Sequence, residues 1–336
     1  MTGAFLDAPH EHAAQELLHS LGCTDGLPVV IPTRARVAAM IAGGRAPAED
    51  VLGIVEPRMG VATVESVAVN AVLAGCLPRH FGVVCAAVRA VCRPEFGLGI
   101  VQATTHNAAP LLIVNGGPDD LASGTGALGP GFRANATIGR ALRLVLFNAG
   151  GARPGAGDMA TLGQPAKFTF VVGEVDAGNP FGPLAGGASV TAVAVEGPSQ
   201  VMFVPRGDTP MADADRLLDM IARTACAPGS MAGMGYRGSC TLLLSPLHAN
   251  MLASAGFTRA SLQNAVFERA SLPASEIRRW HANVRGQPTA ADDAMISALS
   301  SPSHLTVAVA GGAGTYSVVL RGLADGVGIA VTEPIT

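Results

Sequence analysis

Apolar residues recur along this chain with two periods, and the change from one to the other marks out its elements. A first amphipathic helix is predicted over about 11–21. In CTDGLPVVIPT a turn and short strand lead to Thr33, which starts a helix over Arg34–Ala42. VLGIVEP reads as a strand, RMGVA as a tight loop, and TVESVAVNAVLAGC as a helix capped by Thr63. In that helix Val64, Val67, Ala68, Ala71 and Val72 form one apolar face, and Val69, Leu73 and Cys76 another. Only Thr63, Ser66 and Asn70 are left as a narrow polar stripe. It either lines a cleft or serves as a cap and a satisfied amide.

A further helix is expected over about 80–92, then a strand LLIVN preceded by His106 and Asn107 and followed by Asn115. A strand ending in Asn-Gly-Gly suits a ligand contact at the edge of an open α/β sheet, and it suits a tight turn equally. Between Ala134 and Asn148 the positions Ile138, Ala141, Leu142, Val145 and Leu146 keep helical spacing throughout. KFTFVV, SVTAVAV and QVMFVP then read as β-rich segments. Helices follow over about 211–225, 246–255, 259–270 and 274–284, interleaved with strands TLLLS and LTVAVAGG. The alternation predicts an α/β protein of mostly parallel or mixed sheets flanked by helices, arranged as two domains or pseudo-repeated halves. A soft boundary falls in the glycine-rich region 183–189, dividing an N-terminal tail and helix (1–22), an α/β domain (23–185) and a second α/β domain (186–336).

Composition narrows the classes. The 336 residues are 49% hydrophobic but only 4% aromatic, so the core must be built from small aliphatic side chains and glycine. A formal net charge of −3 without a basic run leaves no footprint for nucleic acid. Every long apolar stretch is broken by Gly, Pro or Arg before about 20 residues, and the opening MTGAFLDAPHEHAAQELL has no basic region followed by an apolar one. A cytoplasmic protein with no membrane partner is expected, and its Ala/Gly-rich surface is compatible with a homo-oligomer. The six cysteines (Cys23, Cys76, Cys85, Cys92, Cys226, Cys240) include no C-x-x-C pair and no zinc spacing. His10, Glu11 and His12 lie in a terminal tail and are discounted, so no metal site is assigned and no organic cofactor is expected.

The charged residues are unusual in kind. Lysine and arginine total 22, and one of them, Lys167, is lysine, leaving 21 arginines. Either residue supplies a solvated charge, whereas proton transfer, imine formation and compact ammonium binding belong to lysine. Lys167 is therefore a candidate catalyst or a residual surface lysine. Upstream, the Gly129-Pro130-Gly131 turn opens the Ala134–Asn148 helix, and Arg133, Thr137 and Arg140 stack at spacings of four and three. Helix N-terminal amides next to Gly131 and Arg133 suit a carboxylate or phosphate, while a solvated arginine face paired with acidic residues is the alternative. The 20 residues NAGGARPGAGDMATLGQPAK join that helix to Lys167 with hardly an apolar anchor, and they carry Asp158. Asp158 suits an acid/base partner or a holder for the ammonium, and Glu174 is the next carboxylate along the chain.

A glycine-rich turn also precedes Cys240, with Tyr236 and Arg237 beside it, and a guanidinium there would favour a thiolate. Ser245, Pro246 and His248 read as a helix cap. Gly311, Gly312 and Gly314 lack the full dinucleotide fingerprint. The run Gly238-Ser239-Cys240-Thr241, with His248, Ala249 and Gly256, resembles the motif region of the UGSC family of (seleno)cysteine proteins. LGCTDGLPVVIPT, VATVESVAVNAVLAGC, GPGFRANATIGRALRL and VAVAGGAGTYS are similar to segments of longer proteins of that family. Arg237 stands where that family has selenocysteine or its first cysteine, which removes the partner of a dithiol cycle; Cys240 matches the second cysteine.

Three functions are compatible with these residues. The first is a small-molecule enzyme binding an anionic substrate through Gly131, Arg133, Thr137 and Arg140, with Asn70, Asn115 and Arg237 as further contacts. Lys167, Asp158 and Glu174 would then supply acid/base or imine chemistry of a lyase or hydrolase type. The second is a single-cysteine thiol or redox enzyme centred on Cys240 or Cys76. The third is a noncatalytic binding subunit.

Overall fold

The computed structural model describes residues 6–280, 290–324 and 326–336. The last four positions of the helix expected over 274–284 lie outside the described residues. The chain begins with α1 (Glu11–Ser20), α2 (Arg34–Ala42), β1 (Val51–Val55), β2 (Gly60–Thr63), α3 (Val64–Ala74), α4 (Phe81–Cys92) and α5 (Leu98–Ala103). It continues with β3 (Ala109–Asn115), α6 (Arg133–Asn148), β4 (Val171–Gly173), β5 (Ser189–Val195) and β6 (Ser199–Met202). Then come α7 (Pro210–Ala225), β7 (Gly238–Leu244), α8 (Pro246–Ser254), α9 (Arg259–Arg269), β8 (Ser271–Pro273) and α10 (Ala274–Trp280). Last are β9 (Met295–Ser297), β10 (Leu305–Val309), β11 (Tyr316–Ala324) and β12 (Val331–Pro334). Among the described residues no helix is long and apolar enough to cross a membrane.

Eight strands form one mixed sheet in the order β10-β7-β11-β5-β3-β4, with β12 beside β5 and β6 beside β11. Of its seven pairings only β3 with β4 and β7 with β10 are parallel. Helix α6 joins β3 to β4, and α8, α9 and α10 lie between β7 and β10, the crossovers that parallel strands require. The fold is therefore α/β with a mixed sheet, and antiparallel contacts outnumber the parallel ones that the alternation of strands and helices suggests.

The pairing follows one plan twice. In each half a strand (β3 or β7) gains a parallel neighbour on one side (β4 or β10) and an antiparallel neighbour on the other (β5 or β11). The strand that follows then crosses over: β6 pairs with β11, and β12 pairs with β5. Val195 meets Gly322 where the halves join. Residues 183–189, where composition suggests a boundary, connect β4 to β5 inside this sheet, and the pairing plan starts again after β6.

Side-chain alternation divides the core into three parts. On β3, Leu112 and Val114 face a core shared with α3, α4 and α6, which contribute Val67, Val84 and Ile138. Leu111 and Ile113 point the other way, into a central cluster with Val172, Val193, Leu243, Ala308 and Leu320. On the far side Leu242, Leu244 and Val307 pack with Leu217, Ile221, Leu252 and Leu262 from α7, α8 and α9. Strands buried on both faces explain the unbroken apolar runs LLIV and TLLL. Because the central cluster joins β4 to β10, the sheet curls until its edges approach. Val175 N–H donates to Val309 O (2.8 Å) and Gly311 N–H to Ser123 O (2.7 Å). On the outer side α6 lies close to the chain entering β4: a Cβ on Gly139 would stand 2.3 Å from Thr169 Oγ1 and 2.9 Å from Phe170 N. Glycine is what lets the helix sit there.

Candidate active site

Helix α6 buries Ile138, Ala141, Leu142 and Val145 and turns its arginines away from that core. Arg140 forks onto Asp25, with Nε 2.7 Å from Oδ2 and Nη2 2.8 Å from Oδ1, and it also donates to the carbonyls of Leu27 and Pro28. One turn on, Arg143 Nη2 donates to Asp158 Oδ2 at 3.0 Å. Phe147 continues this face. The Arg143 guanidinium carbon lies 6.0 Å from its ring centroid and that of Arg153 5.1 Å.

The loop after α6 is held by main-chain contacts in place of apolar anchors. Gly155 N–H donates to Asp158 O and Asp158 N–H to Arg153 O, closing a tight knot around the carboxylate. Further along, Thr161 N–H donates to Thr105 O, and Gln164 Nε2 donates to the carbonyls of Asn107 and Val195. A single 3₁₀ turn, Pro165–Lys167, then delivers the lysine. Lys167 Nζ reaches both oxygens of Asp158, at 2.7 and 2.8 Å. A long loop of this composition is functional or disordered in most domains, and here it is ordered around an ion pair.

Arg143, Asp158 and Lys167 line a cleft of about 680 Å³, together with Asp25, Phe147, Gln164 and Phe168. Its rim exposes Leu162 and Phe168. The side chains on the floor are nearly enclosed: Asp158 is 6% exposed, Lys167 12% and Arg143 13%. Burial is the largest influence on Asp158 and pushes its pKa up. Hydrogen bonds and charge from Lys167, with Arg143 and the Ala160 N–H, outweigh it and hold the carboxyl below its ordinary value. For Lys167 burial is again the largest influence and prevails, so its pKa falls below 10.5 although Asp158 pulls it up. Charge is unbalanced. Arg140 is matched by Asp25, but Lys167 and Arg143 share Asp158 as their one carboxylate among the described residues, which leaves one positive charge unmatched there.

Of the residues singled out by sequence, Lys167 and Asp158 are in direct contact, and Arg140 holds Asp25, which lines the same cleft. Arg133, Thr137 and Gly131 sit at the other end of the same helix. The Arg133 guanidinium donates to Gly75 O (3.1 and 3.3 Å), and the Thr137 hydroxyl donates to Arg133 O. Gly131 takes φ of +115°, and α6 begins without a side-chain cap. Asn70 is buried between α3 and α6, donating to Ser66 O and accepting from Asn148 Nδ2, while Thr63 and Ser66 form a capping box.

Asn115 and Glu174 meet elsewhere, past the C-terminal ends of β3 and β4. The fully buried Glu174 carboxylate accepts from Asn115 Nδ2, Leu184 N (2.6 Å), Asn179 Nδ2 (3.3 Å) and Val309 N (3.4 Å), with Arg259 Nη2 at 3.6 Å. It lines neither the cleft nor the small cavity behind it. Arg237 is exposed on the segment entering β7. His248 is buried with Nε2 2.9 Å from Phe203 O and Nδ1 2.7 Å from Ser317 Oγ. A carbonyl only accepts, so Nε2 carries the proton and Nδ1 accepts from Ser317. The Ser245 hydroxyl donates to Gly314 O and caps α8.

Four thiols, Cys76, Cys85, Cys226 and Cys240, are buried, and Cys23 and Cys92 are partly exposed. Cys240 is 3% exposed and Cys76 7%. Burial is the largest cause pushing Cys76, Cys85, Cys92, Cys226 and Cys240 up to about 12, and for Cys240 it exceeds the opposing charge of Arg321. A thiol reagent at pH 8 is expected to label Cys23 in the native protein and the other five only after denaturant is added, as peptide mass analysis will show. Rapid native labelling of Cys240 would contradict this and favour a thiol enzyme.

Sequence reasoning missed Arg143, Asp25, Phe147 and Gln164. Arg143 had a signal, being three residues beyond Arg140 on a face already marked polar. Asp25 stands before glycine and reads as a turn residue. No protein-family model matches the chain, and no curated protein matches it.

Proposed function

We propose that this protein is an enzyme that binds a small anionic substrate in the Lys167 cleft and works on it by acid/base or imine chemistry, as a lyase or hydrolase, without an organic cofactor. The sharing of Asp158 between Lys167 and Arg143 carries the reading. One carboxylate cannot neutralise two cations, and an enclosed, unmatched positive charge is stabilised by a ligand anion. Arg143 holds the anion, since its guanidinium keeps unused donors beyond the one committed to Asp158. Asp158 grips Lys167 through both oxygens and fixes the direction of Nζ. Burial makes Lys167 release a proton more readily than an exposed lysine, which is the property that acid/base catalysis and imine formation both require.

The binding half of this proposal is open to titration with acetate and inorganic phosphate. Arg143→Ala is expected to weaken the tighter of the two by about 10- to 100-fold, the range for a hydrogen bond to a charged group. Circular dichroism and melting curves establish that the variant is folded. Unchanged affinity in a folded Arg143→Ala protein would remove the anion site from this cleft.

A further inference from the structure

Behind the floor of the cleft lies a second, much smaller cavity of about 20 Å³, and Arg143 and Lys167 line both. Its other walls are nearly all apolar, including Leu112, Leu142, Leu146 and Phe170. Thr169 is present, but its hydroxyl donates to Asn135 O. The remaining polar group is Gln102 on α5. It is 2% exposed, and its Nε2 is buried without a hydrogen-bond partner among the described residues. An amide donor enclosed in this way is costly unless an acceptor arrives. The cavity admits one oxygen-sized group, since about 10–15 Å³ is enough for a water.

We propose that this cavity is an oxygen subsite, and that the substrate is a short carboxylate bearing a carbonyl or hydroxyl oxygen on the adjacent carbon. This rests on the anion-binding reading of the cleft. The carboxylate lies on the cleft side against Arg143 and Lys167, and the neutral oxygen passes between them to accept from Gln102 Nε2. Two features set the class. The cavity takes a single group, so its oxygen must be attached within a bond or two of the anionic group. The single unmatched positive charge suits a carboxylate, whereas a phosphate near its second ionisation would leave the enclosed cluster negative. Gln102 is thus a specificity-determining residue that touches substrate.

The probes are pyruvate, lactate and propanoate, which share a carboxylate and differ in the neighbouring oxygen, titrated by ligand-observed NMR. Wild-type protein is expected to bind pyruvate and lactate about tenfold more tightly than propanoate. Gln102→Met keeps the length of the side chain and removes the donor. It is expected to bring pyruvate and lactate down to the propanoate level while propanoate itself is unchanged. Equal binding of all three acids by the wild type, the result if the cavity holds only water, overturns the oxygen subsite and leaves the anion site standing. It does so without any variant, should Gln102→Met fail to fold. A preference that survives in folded Gln102→Met also overturns it. If none of the three acids binds and acetate does not either, the anion site falls and the subsite falls with it.

Discussion

Replacing Glu174 with alanine is expected to destabilise the protein by about 3–5 kcal/mol, the cost of removing one partner from a buried charged contact. The carboxylate is fully enclosed, and its neighbours come from separate parts of the fold: Asn115 ends β3, Val309 ends β10, Asn179 and Leu184 belong to the loop before β5, and Arg259 begins α9. Arg259 also donates to the carbonyls of Gly182 and Pro183 and to Val307 O, so the same cation holds the loop and the second half of the sheet. Without Glu174, two side-chain amides and two main-chain N–H groups lose an acceptor together, and a half-buried guanidinium loses its counter-charge. The junction between β4 and β10, where the sheet curls towards closure, loses its fastening. Urea unfolding measures this directly: the midpoint should fall at an unchanged slope. Glu174→Gln, which keeps the shape and one acceptor, should cost less than Glu174→Ala. A loss under about 1 kcal/mol in Glu174→Ala would mean that the contacts are already loose. Because Glu174 lies outside the cleft, carboxylate binding per folded Glu174→Gln molecule should match the wild type.

The contrast between Glu174 and Lys167 shows what a sequence discloses. Helix α6 was legible because its apolar spacing is local and regular, and with it came Arg140 and the approach to Asp158 and Lys167. The pair itself was legible through composition, as a solitary lysine in a loop too polar to be held by packing. Glu174 follows a strand seven residues after that lysine, and proximity along the chain suggested proximity in space. Strand β4 intervenes, and it carries Glu174 to the far end of the sheet. Elements whose signal is short or mixed were lost. Helix α5 has six residues, too few to show a period, and so Gln102 carried no mark. Strand β11 contains Arg321 and Gly322, which interrupt its apolar alternation where the two halves meet. Strand β12 ends in proline, as an edge strand tolerates. The direction of pairing is non-local, and an alternation of strands and helices overstates the parallel contacts when connections without a helix, β4 to β5 and β10 to β11, reverse the chain.

Substituting Lys167 is expected to abolish turnover, by about 10²–10⁴-fold for loss of a positioned acid/base group, and the two informative replacements should differ in binding. Lys167→Arg keeps a cation beside Asp158 but cannot surrender its proton, so carboxylate affinity should survive while chemistry is lost. Lys167→Met removes the charge, so Arg143 and Asp158 neutralise one another and affinity should fall as well. Exchange of the protons beside the carbonyl of 2-oxo acids for solvent deuterium, followed by NMR, reads the chemistry without presuming the final product. Treatment with borohydride and a 2-oxo acid should leave a substrate-derived mass on Lys167 if the amine forms an imine. The pH dependence supplies an independent sign. The ammonium attracts the anion only while protonated, so affinity is full below the Lys167 pKa and falls as pH rises through it. Burial places that fall below the ordinary 10.5. Asp158 hydrogen bonds and charge oppose burial, so Asp158→Asn should move the fall to still lower pH, and Lys167→Arg should abolish it. An exchange rate unaltered in folded Lys167→Arg would exclude proton transfer and imine formation at this nitrogen. The cleft would then remain a binding site whose cations hold an anion without transforming it.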